Sequence, residues 1–440
     1  MQDKENFQAY CGYHQVWEGT PDKTLVHTDS GTPCGELLRR YWQPVALTSD
    51  LEDRPRLIKV LGEELVLFRD KSGSYGLVHK KCPHRRASLE YGHCEDHGIR
   101  CCYHGWVFDV DGTILDIPGE PADSEHARHA RQVMRLGAYP VKEFKGLLFA
   151  YLGPPEHLPE FPIYDSYDIA GMTMSPYQVK FNCNWIQVLD AIVDPVHTAF
   201  LHQQQFSDGF GELGAIRFYE RDKLRYLGTA SRRVGDNIWV RVNELILPNF
   251  TQAGAAFACD GTEVRYFGRS AFTRWVVPLD DETCVAYAWG NFGERGDPYE
   301  FNNQEGMERI EQGEIVDRPY AQRQRNPGDV EAVEGMGVIS DHEREYLVPG
   351  DKGVVAYRRQ LRRLCTALQK GKQPPQPSNL GNGIVNTLGS DTVLKVPVAE
   401  DDAAQQQKTG DQVMDILFAA DSLTGVSRDE SIIEQLKKLN

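Results

Sequence analysis

The sequence lacks any apolar run approaching the roughly twenty residues that a membrane-spanning helix needs. Its first residues also lack the basic and apolar stretches of a signal peptide. Basic residues are few, with 48 Lys and Arg against 64 Asp and Glu and a formal net charge of −16. This deficit argues against nucleic acid, whose affinity rests largely on phosphate neutralisation. Ten cysteines in 440 residues are no disulfide framework. We therefore expect a cytoplasmic protein that binds neither a membrane nor nucleic acid.

The chain does contain two short Cys/His motifs within residues 81–106, KCPHRRASLEYGHCEDHGIRCCYHGW. The first is Cys-x-His, the second is Cys-x-x-His, and sixteen residues separate them. Two thiolates and two imidazoles, with one of each on each finger, are the ligand set of a Rieske [2Fe–2S] cluster. A structural Cys2His2 zinc site uses similar ligands and is the alternative. The predicted ligands are Cys82, His84, Cys101 and His104.

The residues around these motifs resemble the Rieske domain of Rieske non-haem iron oxygenases. Pro83 lies inside the first finger, and His104 is followed by Gly105 and Trp106. Respiratory-chain Rieske proteins usually carry a disulfide between the fingers, but Ala87 occupies the position expected for its first cysteine. An alternative register would use Cys102, which leaves one residue before His104. The resemblance favours an oxygenase over a respiratory protein.

A second informative segment is NCNWIQVLDAIVDPVHTAFLH, residues 182–202. Asp190, Asp194 and His197 have the spacing i, i+4, i+7, which predicts one face of a helix. His202 would point away from that face on a straight helix, and Pro195 offers a local deviation that returns it. A hydrogen-bonded structural network would explain the same residue types. The upstream cluster motif favours a metal site, since two His and one carboxylate bind Fe(II) and leave positions open for O2.

The family resemblance implies a role for each of these residues. His197 and His202 match the iron ligands of the family, and Asp194 matches its bridging carboxylate. Asp190 matches a position beside these ligands. The third ligand lies downstream of a predicted sheet, and we predict Asp329, which opens a helical run in a stretch that resembles the phthalate-dioxygenase-like branch. The carboxylates considered for this role are Glu311, Glu314, Asp317, Asp329, Glu331 and Glu334. Of these, Glu331 and Glu334 are expected to be solvated.

The pattern along the chain predicts an α+β fold. Residues 1–44 form an extension with a helix before Pro44, and 45–160 form an all-β Rieske domain with a hairpin at Asp111-Gly112. Residues 165–375 form a large antiparallel sheet flanked by helices, which the resemblance identifies as a helix-grip-like catalytic domain. Residues 376–440 form a linker and a helical tail that docks on the body or on a neighbouring subunit. A capping box, Ser427-x-x-Glu430, predicts the start of its last helix.

The resemblance implies the terminal oxygenase component of a Rieske system. Electrons would come from NAD(P)H through a separate flavin or ferredoxin reductase, because Gly209–Gly214 lacks the strand-to-helix context of a dinucleotide site. The enzyme would use O2 to hydroxylate an aromatic acid, or to remove an O-methyl group, and would work as a homotrimer or stacked trimers. A Rieske electron carrier and a zinc-stabilised binding module are alternatives. We predict that the substrate pocket includes Ile186, Leu189, Val193, Asn249 and Phe250.

Eight arginines of the predicted sheet are candidates to bind a substrate carboxylate. They lie on alternating β-type runs, so one or two could point inward while the others remain solvated. The sequence does not distinguish among Arg217, Arg225, Arg232, Arg233, Arg241, Arg265, Arg269 and Arg274.

Overall fold

The structure is a computed structural model. It describes residues 9–14, 19–121, 123–169, 171–203, 208–254, 259–270, 272–293, 318–380 and 383–439. Among these residues, no helix combines the length and the apolar character that crossing a membrane requires. The helices are α1 (Lys23–Val26), α2 (Pro33–Leu38), α3 (Glu125–Val133), α4 (Trp185–Ile192), α5 (Pro195–Leu201), α6 (Tyr320–Arg325), α7 (Asp329–Glu334), α8 (Lys352–Gln369), α9 (Asp402–Ala419) and α10 (Gly425–Lys437).

Three small antiparallel sheets form the N-terminal region. Their orders are β1-β11-β10, β2-β3-β4-β9 and β5-β6-β7-β8. The strands are β1 (Trp42–Leu47), β2 (Arg56–Val60), β3 (Glu63–Arg69), β4 (Tyr75–His79), β5 (His93–Cys94), β6 (Ile99–Arg100), β7 (Val107–Phe108), β8 (Ile114–Asp116), β9 (Ala138–Tyr139), β10 (Val141–Phe144) and β11 (Leu147–Tyr151).

The beginning of this region differs from the prediction. The predicted helical run through Trp42 ends at Leu38, and Trp42 instead begins β1. Pro44 lies inside this strand, where the register shifts before Ala46. Because β1 is at the edge of its sheet, the missing N–H of a proline is tolerated there.

The hairpin between β7 and β8 has its turn at Asp111-Gly112, as predicted. Phe108 pairs with Ile114 across it, and Gly112 has a φ of 81°. Both side chains of this pair are buried in a core that also contains Cys82 and Cys101. The two cysteines are thus anchored by the interior of the small sheets.

The second region is a nine-stranded antiparallel sheet. Its main order is β12-β19-β18-β16-β15-β14-β13, and β20 adds beside β15 and pairs with β17. These elements confirm the predicted α+β fold. The strands are β12 (Met172–Phe181), β13 (Ala215–Arg221), β14 (Arg225–Val234), β15 (Asn237–Ile246), β16 (Phe250–Ala253), β17 (Arg265–Arg269), β18 (Phe272–Pro278), β19 (Cys284–Gly293) and β20 (Ser390–Lys395).

The large sheet has two faces with different coverings. On β15, Val240 and Val242 belong to a hydrophobic cluster shared with α9 and α10. Successive strand residues point to opposite faces, so Trp239 and Arg241 lie on the other face. That face also carries Leu245, which packs in the main core together with α4.

The C-terminal segment docks on its own chain. The predicted linker and helical tail also contain a strand of the large sheet, β20. Arg428 of α10 is fully buried, and its guanidinium donates to Asp165 at 2.8 Å and to the Thr387 carbonyl at 3.0 Å. The capping box at Ser427 was wrong: α10 begins at Gly425, and the Ser427 hydroxyl donates to the Thr424 carbonyl at 2.9 Å. Ser427 therefore lies inside the helix, whose N-cap is Thr424.

Candidate metal centres

Two tight loops carry the four predicted cluster ligands. In the first, the Cys82 N–H donates to the Ala87 carbonyl at 2.9 Å, and in the second the Cys101 N–H donates to the Trp106 carbonyl at 2.8 Å. Both cysteines are buried. The rings of His84 and His104 lie at the tips, with centroids 4.6 Å apart. The two fingers therefore meet with both thiols inside and both imidazoles outside.

The chemistry of this set fits a cationic cluster. Burial, followed by the neighbouring Cys101, raises the pKa of the Cys82 thiol to about 11. Burial and then His104 lower the pKa of His84. The Cys82 thiolate is disfavoured here without a positive charge, whereas the neutral imidazole of His84 is favoured, and both are the forms that bind metal. Cys102 is exposed, so the alternative register would place a ligand outside the thiol pair.

Trp106 has a role that the spacing of the motif did not reveal. Its ring stacks on His84 at a centroid distance of 4.8 Å and an interplanar angle of 7°. Gly105 makes this possible because its φ of 74° turns the chain between His104 and Trp106. The stack holds one imidazole of the first finger against the second finger. Only the Gly-Trp pair after the motif pointed to it.

The segment that carries Asp194 and His197 is broken rather than kinked. Helix α4 ends at Ile192, and Asp194 caps the separate helix α5 by accepting from the Val196 N–H at 2.8 Å. Pro195 is the first residue of α5, a position where its missing N–H costs nothing. The prediction of one continuous face was therefore wrong. The break, together with the position of His202 as the C-cap of α5, determines where the ligands lie.

Three side chains converge at this second site. His202 Nε2 lies 3.2 Å from Asp329 Oδ1, and His197 Nε2 lies 3.8 Å from the same oxygen. One ligand atom of each residue lies within 4.8 Å of those of the other two. Asp329 is the first residue of α7, and its Oδ1 is buried without a hydrogen bond of good geometry among the described residues. Two imidazoles that converge on a buried carboxylate oxygen fit a metal ion.

The electrostatics of this His/His/Asp site favour the carboxylate form of Asp329, which is its metal-binding form. Burial alone would raise the pKa of Asp329, but His202, His197 and the charge of Arg274 lower this pKa to about 2. The Nδ1 atom of His197 is 2.5 Å from the Asp194 carbonyl and 3.6 Å from its carboxylate. When Nδ1 donates its N–H, the lone pair of His197 Nε2 is left to face the other two residues of the His/His/Asp site.

Asp190 makes its hydrogen bonds with α8. Its carboxylate accepts from the Tyr357 hydroxyl and from Arg358, whose Nε is 2.9 Å from Oδ1. Arg358 also donates to Glu345 at 2.5 and 3.0 Å. Asp190 therefore ties α4, the helix before the ligand helix, to α8. The sequence did not identify Arg358 as its partner.

The other candidate carboxylates have structural partners or lie outside the described residues. Glu331 pairs with Arg318 at 2.6 Å and with Arg323 at 2.8 Å, so the expectation that it is solvated was wrong. Glu334 was also expected to be solvated, but it accepts from the Asn182 N–H at 2.7 Å. Glu311, Glu314 and Asp317 lie outside the described residues.

The five predicted pocket residues are all buried. Asn249 donates to Gln43 at 2.7 Å and to the Val276 carbonyl at 2.9 Å, and Phe250 stacks on Tyr164. These contacts give Asn249 and Phe250 roles in the core. Substrate contact at the five positions stays a prediction. The relative exposures are Ile186 0%, Leu189 0%, Val193 1%, Asn249 2% and Phe250 2%.

A pair of Rieske-type fingers and a His/His/Asp cluster on one chain are the arrangement of an iron-dependent oxygenase. Residues 41–144 match the Rieske [2Fe-2S] domain. The chain is 38% identical, over 98% of its length, to the tert-butanol monooxygenase / tert-amyl alcohol desaturase oxygenase subunit of Aquincola tertiaricarbonis, 96% of which is covered. This chain belongs to the Rieske non-haem iron oxygenases, as an oxygenase subunit.

Other relatives agree with this assignment. The alpha subunit of phenoxybenzoate dioxygenase from Ectopseudomonas oleovorans is 36% identical over 83% of this chain and 90% of its own. NdmB of Pseudomonas putida CBB5 matches with a TM-score of 0.59 and 18% identity, over 80% of this chain and 95% of that one. The last similarity concerns the fold alone. The predicted family is confirmed, and the zinc-stabilised module and the respiratory alternative are excluded.

Proposed function

We propose that the protein is the terminal oxygenase component of a Rieske system and hydroxylates an aromatic acid with O2. Electrons come from NAD(P)H through a separate flavin or ferredoxin reductase, and pass from the [2Fe–2S] cluster to a mononuclear Fe(II). The convergence of His197, His202 and Asp329 carries this proposal. The relative that is named a phenoxybenzoate dioxygenase supports an aromatic acid as the substrate.

The residues around the second site have distinct tasks in this proposal. When bound, Fe(II) supplies the chemistry of O2 reduction, and the cluster supplies a further electron. Asp329 contributes the single negative charge among three ligands, while His197 is oriented by the Asp194 carbonyl. Two neutral imidazoles and one carboxylate leave positions open for O2. The His202 side chain is 1% exposed, so it lies on the side of the site that faces the protein interior.

Asp194 is proposed to bridge two subunits. Its carboxylate is 25% exposed, so it can accept from His104 of a neighbouring copy while it faces His197. In a head-to-tail ring, usually a trimer in this family, the cluster of one subunit would feed the iron of the next. Phe200, an apolar residue of α5 that is 70% exposed, supports a protein contact near the helix that Asp194 caps. The nine cysteines whose side chains the structure describes are free thiols, which supports the cytoplasm.

A small tertiary alcohol is a second candidate substrate. The relative named tert-butanol monooxygenase supports it, because its similarity spans nearly the whole chain. An O-methylated aromatic acid would use the same site. A substrate panel that contains each class, scored for NADH and O2 consumption with a reductase present, distinguishes these candidates.

The mononuclear site is tested by a matched pair of variants. Asp329→Asn and Glu334→Gln each replace one carboxylate of α7 by an amide of the same shape. Purified wild-type protein should contain about three irons per chain, from a two-iron cluster and one mononuclear site. Asp329→Asn should keep the Rieske absorption, lose one iron and lose turnover, whereas Glu334→Gln should keep all three. Full iron content in Asp329→Asn would refute the ligand assignment. A wild-type protein with two irons and no O2 uptake would indicate an electron carrier.

A further inference from the structure

Two arginines are buried side by side on the face of the large sheet opposite α9 and α10. Ala230 of β14 pairs with Arg241 of β15, and Arg232 pairs with Trp239. Residues that pair directly share a face, so both guanidinium groups are on this face. Arg232 is 0% exposed and Arg241 is 5% exposed. Both guanidinium carbons lie 5.0 Å from the centre of the Phe210 ring, so both arginines face the same aromatic side chain.

Neither arginine has a carboxylate partner among the described residues, within 4.0 Å. Arg232 donates to the Glu212 carbonyl at 2.6 Å and to the Thr198 hydroxyl at 2.7 Å. Arg241 donates to Asn243 at 3.3 Å. The Nη1 atom of each is buried and has no hydrogen-bond partner in the part of the chain that the structure describes. Burying two cations that have unsatisfied N–H donors destabilises the fold unless an anion binds to them.

The carboxylates whose charges act on the pair, among the described residues, form no ion pair with it within 4.0 Å. Burial and then Arg241 lower the pKa of Arg232 to about 9. Asp391 is the carboxylate whose charge acts on both arginines, but its Oδ1 accepts from Trp239 Nε1 at 2.7 Å. The charge of Asp329 also acts on Arg241. The two Nη1 donors therefore remain without an acceptor among the described residues, beside an aromatic ring.

The pair adjoins the candidate iron site. Arg232 binds the hydroxyl of Thr198, the residue after His197 in the ligand helix. Burial lowers the pKa of Arg241, and Asp329 is close enough for its charge to oppose this shift. An anion bound by the two free Nη1 atoms would therefore lie near the ligand helix. The ring of an aromatic anion bound there would contact the apolar ring of Phe210.

We propose that Arg232 and Arg241 form an anion subsite that binds the carboxylate of the substrate and so selects aromatic acids over uncharged compounds. This inference rests on the proposed function, since it names the group that the same site recognises. The planar fork of arginine matches a carboxylate with two parallel hydrogen bonds. The two Nη1 donors supply one bond to each carboxylate oxygen. Phe210 supplies the apolar surface beside them.

The test compares acids with their neutral isosteres on the iron-loaded protein. Benzoate and 3-phenoxybenzoate are titrated by calorimetry beside benzamide and 3-phenoxybenzamide. We expect the wild-type protein to bind at least one acid tenfold or more tightly than its amide. Arg241→Gln should weaken binding of that acid roughly 30-fold, the effect of losing about 2 kcal/mol from a buried charged contact, and leave the amide unchanged. Arg217→Gln is the control, since the Arg217 side chain is 41% exposed.

A second measurement separates recognition from a structural role. Removal of a buried cation that lacks a counter-ion should keep or raise the thermal midpoint of the ligand-free protein. Arg241→Gln and Arg232→Gln are both measured, so that one unfolded variant does not decide the result. A lower midpoint in both variants, with acid and amide weakened equally, would overturn the proposal. Equal binding of acid and amide by the wild-type protein would also overturn it, as would no binding of any probe.

The proposed function fails in a different way. In that case the protein lacks the third iron, or consumes no O2 with any substrate of the panel, while the preference for acid over amide persists. Turnover of uncharged alcohols, with no preference for an acid, would instead retain the oxygenase and refute the subsite.

Discussion

Arg358→Met should destabilise the protein strongly, because one guanidinium serves two carboxylates. The Arg358 side chain is 5% exposed, and those of Asp190 and Glu345 are 15% and 24% exposed. Removing one member of a buried pair costs about 3–5 kcal/mol. We expect about 3 kcal/mol here, since Glu345 can rehydrate while Asp190 keeps the Tyr357 hydroxyl. Asp190→Asn should cost less, about 1.5–2 kcal/mol, because Arg358 then retains Glu345.

The assay is urea unfolding followed by tryptophan fluorescence. With a slope of about 3 kcal/mol per molar, Arg358→Met should lower the midpoint by about 1 M. Arg359→Met is the matched control: it is the next residue of α8, and its pair with Glu220 is 53% and 52% exposed. An exposed pair contributes about 0–1 kcal/mol, so this variant should unfold almost as the wild type does. Equal midpoints for the Arg358 and Arg359 variants would refute the reasoning.

Three further predictions concern the cluster, the bridge and the C-terminal segment. His104→Cys should lower the reduction potential of the cluster, because a thiolate adds negative charge; an unchanged potential in a redox titration would contradict this. Asp194→Ala should keep both metals but slow cluster oxidation in a single turnover of prereduced protein with substrate and O2, and a wild-type rate would exclude the bridge. Burial raises the pKa of Asp165, but Arg269 and Arg428 hold it below its usual range. The ionised Asp165 should therefore stabilise the protein fully above about pH 4, and this stabilisation should disappear as the pH falls through the lowered pKa. In Asp165→Asn, the urea midpoint should therefore fall less steeply with decreasing pH than in the wild type.

Local patterns predicted the parts of the sites that depend on local structure. The four cluster ligands follow from two short motifs, each closed by hydrogen bonds within a few residues. Spacing placed Asp190, Asp194 and His197 on one helical face, but the break at Asp194 and the C-cap position of His202 replace that face. The ligand roles of His197 and His202 came from the family resemblance. Asp329 was also chosen through that resemblance, since nothing near it in sequence distinguishes it from a helix cap.

Contacts between distant segments could not be predicted. The sequence offered eight arginines without distinguishing them, because the choice depends on sheet register and on what covers each face. The same limit applied to Arg358, whose partner Asp190 lies 168 residues earlier. Strand β20 was not predicted, because the sequence of a short β-type run after a linker does not show which strand of a sheet it will pair with. Composition and periodicity describe a segment, whereas these features belong to pairs of segments.

The position of β20 has a consequence for synthesis of the chain on the ribosome. Strand β15 carries Arg241 and Trp239, and Asp391 of β20, to which the Trp239 indole donates, is 152 residues later. At about 5–20 residues per second, roughly 8–30 s pass between the emergence of the two strands. During that interval the edge of β15 and the surface later covered by α9 and α10 are open to other chains. A molecular chaperone that shields this edge should raise the yield of folded protein more than one that acts on the N-terminal sheets, whose strands are close in sequence.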